Sequence, residues 1–415
     1  MTRTLGAWYG LLTAAIFAPV VLTVAYGSGD PATLWSALAV TTGAQALVAL
    51  VFTLVAAARI RYLTNRLGID GVMNIHRTLG GAAVVLSTVH ILAVVADNPA
   101  NVWLLDPSIA PGRAVAGTVA LIALVLVFSF AERRVRRYEW WRWAHRTGAV
   151  VALGLIALHV WLLDRLIHVR PWAALFGVAA VAVLGAGVWR WLSPDRRHRF
   201  VVSEIRAETE TATTLALAPI GAPLRFEAGQ FVWMRLRAAP WEQDHPFTMS
   251  STPDDEWLEF TIRHTGDWTR GPLRALRPGS PVWLDGPHGG LTLASADDAA
   301  GLVMIAAGVG LTPVMAVLRT CAVRGDTRPM HVLTPVDEPL FRDELTELAE
   351  HLDLTVENTL PRQVHADTLA AHLPWIPRAA YFVSGPPRLV DDACNALRTM
   401  EIPPNRIHSE RFRLV

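Results

Sequence analysis

Apolar residues fill the first half of the chain in long runs. Six of them, at about 7–26, 34–57, 74–96, 114–131, 146–163 and 172–192, have the length of membrane spans, since a helix needs roughly 20 apolar residues to cross a bilayer core. Beyond about Arg190 the pattern changes. Residues 198–293 alternate in short strand-like stretches such as FVVSEIRAE, QFVWMRLR and WLEFTIRH. Gly and Pro punctuate them closely, which predicts a small antiparallel barrel. Residues 299–415 carry buried-type strands, LVMIAAG, MHVLT and YFVSG, each followed by a helical stretch. That alternation predicts a parallel sheet with crossover helices.

Composition sharpens this division. The chain of 415 residues is 52% hydrophobic and only 18% charged, with a net charge of +1. Nothing in that balance points to nucleic acid. Every basic residue apart from histidine is arginine. The absence of lysine excludes Schiff-base and PLP chemistry and a Walker-type phosphate loop. Cys321 and Cys394 stand far apart without a CxxC partner, so zinc ribbons, iron–sulfur ligation and a disulfide scaffold lack support.

The arginines set a topology. The linker after the second run holds Arg59, Arg61 and Arg66. The linker after the fourth holds Arg133, Arg134, Arg136, Arg137 and Arg142, and the segment after the sixth holds Arg196, Arg197 and Arg199. The other linkers are poorer in arginine and carry Asp30, Asp97, Asp106 and Asp164. The positive-inside rule then places both termini in the cytoplasm. The expected protein is a multi-pass protein of the cell membrane with its soluble half in the cytoplasm, where NAD(P)H is found. Arg3 ahead of the first run leaves a signal peptide open, but the apolar stretch is long for one and no clean A-x-A site follows.

Four histidines stand out among the spans. His76 and His90 fall in the third, His145 and His159 at the start of and within the fifth. Fourteen residues on a helix make about 1400° of rotation, some 40° short of four turns, with a rise of about 21 Å. Each pair therefore shares one helix face, at two levels that fit within a hydrocarbon core of ~30 Å. Iron porphyrin with two axial imidazoles is the expected occupant of each level. Both helices run from inside to outside, so His76 pairs with His145 at the inner level and His90 with His159 at the outer. Any one of these histidines alone reads equally as a satisfied polar residue or part of a proton path. His168 falls in the short outer loop without a partner and reads as a surface residue.

The soluble half carries a series of short motifs: HPFTMSS at 245–251, FTIRHTGDWT at 260–269, GPHG at 286–289, GVGLTP at 308–313, FRDEL at 341–345, SGPP at 384–387 and a terminal ERFRLV. Singly they are modest. A GVG between strand and helix lets backbone approach a pyrophosphate, but such glycine pairs are common. Arg263 offers a fixed charge to a phosphate, or is a solvated surface arginine. In this order and spacing they resemble the membrane branch of the ferredoxin–NADP reductase superfamily, which contains the ferric reductases and NADPH oxidases. The histidine spacing resembles that branch's bis-haem core, and the likeness covers nearly the whole chain beyond the first two spans.

The resemblance implies a six-helix transmembrane bundle at 1–192, an antiparallel β-barrel FAD domain at 198–293 and an α/β parallel-sheet NAD(P)-binding domain at 299–415. It implies that His245, Pro246, Phe247 and Thr248 hold the isoalloxazine and ribityl region of FAD. Arg263, Asp267, Trp268 and Thr269 lie along its diphosphate. Gly308, Gly310, Thr312 and Pro313 receive NADH or NADPH, and Gly385 and Pro386 border the nicotinamide. Phe412 resembles the aromatic residue that covers the flavin ring, and Ser384 replaces the family's usual cysteine near the hydride path. Ser384, Phe412 and Thr312 are the candidates closest to the chemistry. Asp337 and Glu338 follow MHVLT where an arginine commonly grips a 2′-phosphate, which favours NADH.

The expected activity passes electrons from cytoplasmic NAD(P)H through FAD and two b-type haems to an external one-electron acceptor. Ferric chelates are the expected acceptor, with Arg113, Arg165, His168 and Arg170 as a mildly positive mouth. Four alternatives stand beside it: NADPH oxidase-like reduction of oxygen to superoxide, electron delivery to a dedicated partner such as a periplasmic protein, a haem conduit fed by another reductase, and a membrane-anchored flavin reductase whose histidines are structural. The second span has no arginine at membrane depth, which weakens the oxidase alternative. No calcium-binding loop or partner segment is visible.

Overall fold

The computed structural model describes all residues except 1, 27–32, 133–137, 193–197, 238–241, 243, 362–363, 375 and 413–415. Asp30 and the topology-setting arginines 133, 134, 136, 137, 196 and 197 lie outside the described residues. The chain divides into two compact units, Met1–Ile60 with Val72–Arg190, and Arg61–Gly71 with Trp191–Val415.

The first unit is helical. Its helices are α1 (Thr2–Tyr26), α2 (Leu34–Ala57), α3 (Arg61–Asp97), α4 (Gly112–Glu132), α5 (Tyr138–Trp161), the single turn α6 (Asp164–Ile167) and α7 (Arg170–Leu192). Among the described residues, α2, α3, α4, α5 and α7 are long and apolar enough to cross a membrane. The described apolar stretch of α1, Gly10–Tyr26, is shorter. Large side chains such as Val85, Leu92, Ile122, Val150 and Val178 point outward, as lipid-facing positions do. Small ones face inward, and Ala49, Ala83 and Ala152 pack with Leu50 and Leu124. Alanine at these crossings lets helix backbones approach closely where no hydrophobic effect drives association.

α3 is two helices joined at Gly68, whose φ of 68° and ψ of 163° interrupt the spiral. A boundary at residue 192 would put all of α3 in the membrane domain. Arg61–Gly71 instead cluster with the second unit. The reason is packing: Leu63 and Thr64 are buried, and the Thr64 hydroxyl lies 3.1 Å from His288 Nδ1.

The second unit holds two sheets. The first comprises β1 (His198–Thr209), β2 (Ala212–Pro219), β3 (Phe231–Arg235), β4 (His245–Thr248), β5 (Leu258–Arg263) and β6 (Pro281–His288), with the single turn α8 (Asp267–Arg270) after β5. The strand order is β4-β3-β6-β1-β2-β5, antiparallel throughout. The two edge strands curl together, because Ser250 N, just past β4, donates to Glu259 O on β5 at 2.8 Å. Inside sit Phe200, Leu215, Leu217, Met234, Phe260 and Leu284. The result is a six-stranded antiparallel half-barrel.

The second sheet comprises β7 (Leu302–Ala306), β8 (Met330–Pro335), β9 (Leu354–Leu360), β10 (Ala380–Gly385) and β11 (Ile407–Arg411). Between its strands run α9 (Leu311–Arg324), α10 (Arg342–His351), α11 (Ala366–His372) and α12 (Pro387–Thr399). Its order is β11-β10-β7-β8-β9, and every neighbouring pair is parallel. β7 is buried on both faces. Leu302, Met304 and Ala306 pack with α9 and α10, while Val303 and Ile305 pack with α11 and α12. A strand covered by helices on both sides reads as a continuous apolar run rather than an alternating one.

Candidate functional site

Within the helical unit the four histidines meet in the expected pairs. The His76 and His145 ring centroids are 6.2 Å apart, and those of His90 and His159 are also 6.2 Å apart. Two imidazole nitrogens each about 2 Å from one shared metal ion put their ring centroids roughly 6 Å apart. The far side of three rings is tethered to main chain. His90 Nδ1 lies 2.7 Å from Ala39 O, His159 Nδ1 2.7 Å from Arg113 O, and His76 Nδ1 3.0 Å from Thr53 O. A carbonyl can only accept, so each Nδ1 carries the proton and each Nε2 keeps a free lone pair for a ligand.

Glycine makes room for the outer pair. A Cβ at Gly43 would lie 2.9 Å from His90 Nδ1, and one at Gly117 would lie 2.8 Å from His159 Nδ1. His90 and His159 line a cavity of about 670 Å³ with Leu47, Leu121, Arg113 and Trp172, within the range of cofactor sites. Neither the glycines nor the tethering carbonyls were apparent from sequence, since a backbone partner has no residue signature. His168, paired with Asp164 at 3.2 Å, is exposed as expected.

In the second unit HPFTMSS begins on β4, an edge strand, where Pro246 costs no ladder hydrogen bond. The register sets Val232 opposite Phe247 and Met234 opposite His245. Trp268, on the turn after β5, stacks on His245 at 4.2 Å between centroids and on Phe247 at 5.7 Å. Thr269 caps that turn, its hydroxyl donating to Gly266 O and accepting from Gly266 N. Asp267 beside it is exposed. The two sequence segments are thus one surface. Among the described residues, Thr248 Oγ1, Ser250 Oγ and Arg263 Nε are buried there without a hydrogen-bond partner. Buried polar groups left unpaired are rare and costly, so this cluster fits a polar ligand with acceptors and donors of its own.

The glycine loop faces the same surface. Gly308 (φ 59°) would bring a Cβ to 3.2 Å from the Arg263 guanidinium. Its N–H donates to the buried Glu338 carboxylate at 2.5 Å, and that carboxylate lies 3.7 Å from Arg263 Nη2. Gly310 is hemmed in by backbone, since a Cβ would meet Ser384 O at 2.4 Å. Thr312 turns its hydroxyl back onto Val309 O at 2.7 Å, and Pro313 follows, buried in the first turn of α9. The Ser384 hydroxyl is fully buried and donates to Gly310 O at 2.7 Å. It is a strut between two loops. Gly385 O accepts from Phe412 N at 2.8 Å, which sets the aromatic beside SGPP, with Pro386 exposed.

Glu410 was not singled out from sequence. It pairs in register with Ser384, and among the described residues its Oε2 is sealed from solvent with no hydrogen-bond partner. Burial, helped by the charge of Asp70, pushes its pKa up to about 8. Its neighbour Arg411 bridges Asp70 and Asp391.

Residues 42–156 match the family described as ferric reductase like transmembrane component, and residues 207–290 match an FAD-binding domain family. The ferredoxin–NAD(+) reductase component of the alkene monooxygenase system of Xanthobacter autotrophicus is 29% identical over 235 residues, covering 53% of this chain and 71% of that protein. NADPH oxidase 1 of Mus musculus is 31% identical over 98 residues, covering 23% of this chain and 16% of that protein. The chain thus spans a small part of that oxidase. Among solved structures, flavohemoglobin from Malassezia yamatoensis aligns at a TM-score of 0.51 and 19% identity, over 89% of this chain and 99% of that one. At that identity the likeness is one of fold.

Proposed function

We propose, for a chain that belongs to the membrane branch of the ferredoxin–NADP reductase superfamily, the ferric reductase and NADPH oxidase-like branch, a complete electron path through two haem levels. It is an integral, multi-pass membrane flavoprotein and an NAD(P)H-dependent transmembrane oxidoreductase. The proposal concerns the rest: a sixth span in α1, a nucleotide site on the parallel sheet, two b-type haems, a cytoplasmic reductase half and an external acceptor.

The observation that carries the reading is the pair of facing histidine couples, each with centroids 6.2 Å apart. His76 and His145 would hold the inner haem, His90 and His159 the outer. Flavin, when bound, takes two electrons as hydride and releases them singly, and haem carries one at a time. The chain's own residues position and tune. Three backbone carbonyls lock the imidazole tautomer. His245, Phe247 and Trp268 form an aromatic wall, and Thr248, Ser250 and Arg263 offer unpaired polar atoms to FAD.

Gly308 and Gly310 admit a dinucleotide close to main chain. Glu338 beside them disfavours a further phosphate, which supports NADH. Ferric chelates are the proposed acceptor, drawn by Arg113 at the outer cavity. The similarity to NADPH oxidase 1 favours oxygen as the rival.

The test is an anaerobic absorption spectrum of the detergent-purified protein before and after NADH. Sharp low-spin haem bands that appear on addition are expected, with faster reoxidation by ferric citrate than by air. Faster reoxidation by air moves the reading to superoxide production. Flavin bleaching without any haem band leaves a membrane-tethered flavin reductase.

A further inference from the structure

The FRDEL motif at 341–345 has no part in the path above, yet its side chains grip a residue at the centre of the reductase. Arg319 lies on α9, about two turns beyond the glycine loop. Its Nε and Nη2 donate to the two carboxylate oxygens of Glu344 at 2.5 and 2.8 Å. Its guanidinium carbon stands 5.8 Å from the centroid of Phe341. Phe341 and Glu344 are the first and fourth residues of FRDEL.

Nη1 reaches the flavin half-barrel. It donates to Ser250 O at 2.8 Å and to Glu259 Oε2 at 3.1 Å. Ser250 is the sixth residue of HPFTMSS, and Glu259 lies on the strand that ends at Arg263. These two are themselves joined. Ser250 N donates to Glu259 O at 2.8 Å, and Glu259 N donates to Ser251 Oγ at 3.0 Å. Arg206 completes the charge balance, donating to Glu259 Oε1 at 2.7 Å. The Arg319 side chain is only 18% exposed. Burial alone would lower its pKa, but Glu344 and then Glu259 hold it above the usual value.

A salt bridge anywhere along a seam can stabilise a fold. This one touches a carbonyl two residues from the unpaired Thr248 hydroxyl, and it projects from the helix that the glycine loop starts. The separation of those two points sets how near a nicotinamide can come to a flavin. A planar, bidentate guanidinium fixes such a separation better than a flexible ammonium.

We propose that Arg319, held by Glu344 and Phe341, is a positioning residue that sets the spacing between the flavin strand β4 and the nicotinamide loop, and so governs hydride transfer. The inference rests on reading HPFTMSS as the flavin site and GVGLTP as the nicotinamide site.

The experiment is anaerobic stopped-flow reduction of the full-length, FAD-loaded protein by NADH and by 4-deuterated NADH, with Arg319→Met, Arg319→Lys and Glu344→Gln. In Arg319→Met the limiting rate of flavin bleaching falls about 10- to 100-fold, as a displacement of about 1 Å would cause. The NADH Kd stays within about two-fold, flavin stoichiometry is unchanged, and the isotope effect is retained or larger. Arg319→Lys recovers part of the rate. If Arg319→Met fails to retain flavin, Arg319→Lys and Glu344→Gln carry the same split between rate and affinity. A limiting rate within about two-fold of the parent in flavin-replete variants overturns the proposal. If NADH does not reduce the parent's own flavin, the site assignment fails and the clamp with it. Normal parent reduction with unaffected variants removes the clamp alone.

Discussion

Gly310 shows how little latitude single residues have at this site. A Cβ there meets the Ser384 carbonyl at 2.4 Å, and backbone cannot yield as a flexible side chain does. Gly310→Ala is expected to cost about 1–3 kcal/mol and to weaken NADH binding, read by thermal melting and by titration of flavin-replete protein. Parent-like affinity would mean that the two loops separate freely. Glu410 makes the pH argument. Its folded pKa of about 8 lies above its ordinary 4.5, so the native state holds a proton that the unfolded chain releases. That stability is complete below about pH 4.5 and drains away as pH rises to about 8. Glu410→Gln cannot lose it. The variant's melting temperature should therefore pull ahead of the parent's as pH climbs from 5 to 8, and a constant difference across that range would contradict the burial argument. Glu338→Gln tests specificity: removing the charge should narrow the preference for NADH over NADPH, seen in the ratio of kcat/KM for the two.

At the scale of elements, helix periodicity places the histidines and glycine packing seats them. Fourteen residues bring His76 and His90 to one face of α3, and His145 and His159 to one face of α5. Gly117 then leaves the gap that the His159 ring occupies. His159→Ala and Gly117→Val should each remove one haem per chain while His76 and His145 keep the other. A pyridine haemochromogen count gives the answer, and retention of two haems would overturn the assignment of the outer level. The half-barrel shows the same logic, with β4 and β5 at opposite ends of the strand order. The Ser250–Glu259 bond curls them together, so that His245 and Phe247 reach Trp268.

Across the whole molecule, the arginine-rich linkers predict a sided protein. NADH should reduce the flavin in sealed inverted vesicles, where the cytoplasmic face is outward, and not in right-side-out ones. The opposite result would reverse the topology. Sidedness matters because NADH cannot cross the bilayer whereas electrons can pass between fixed carriers. The division between halves is less simple than a cut at residue 192. Arg61–Gly71 sit between two apolar runs in sequence yet cluster with the reductase unit. Their buried Thr64 and the ion-paired Asp70 explain why.

Much of this protein is legible along the chain, because the properties concerned are periodic or local. Apolar run length speaks for a membrane half, since lipid tolerates little else. The 14-residue histidine spacing depends only on helix geometry. HPFTMSS, GVGLTP and SGPP are recognisable because each needs particular residue types at fixed short intervals. Other features arise only when distant segments meet. No local pattern shows that Ala39, Thr53 and Arg113 lend carbonyls to histidines 23 to 51 residues away. Nor does one show that Ser384 braces Gly310, or that Glu410 lies sealed beside Asp70, 340 positions earlier. FRDEL is readable as a motif, but its tie to the half-barrel depends on Arg319 of α9 joining Phe341 and Glu344 to Ser250 and Glu259. Backbone partners carry no residue signature, and burial belongs to the folded whole, so tertiary structure alone decides them.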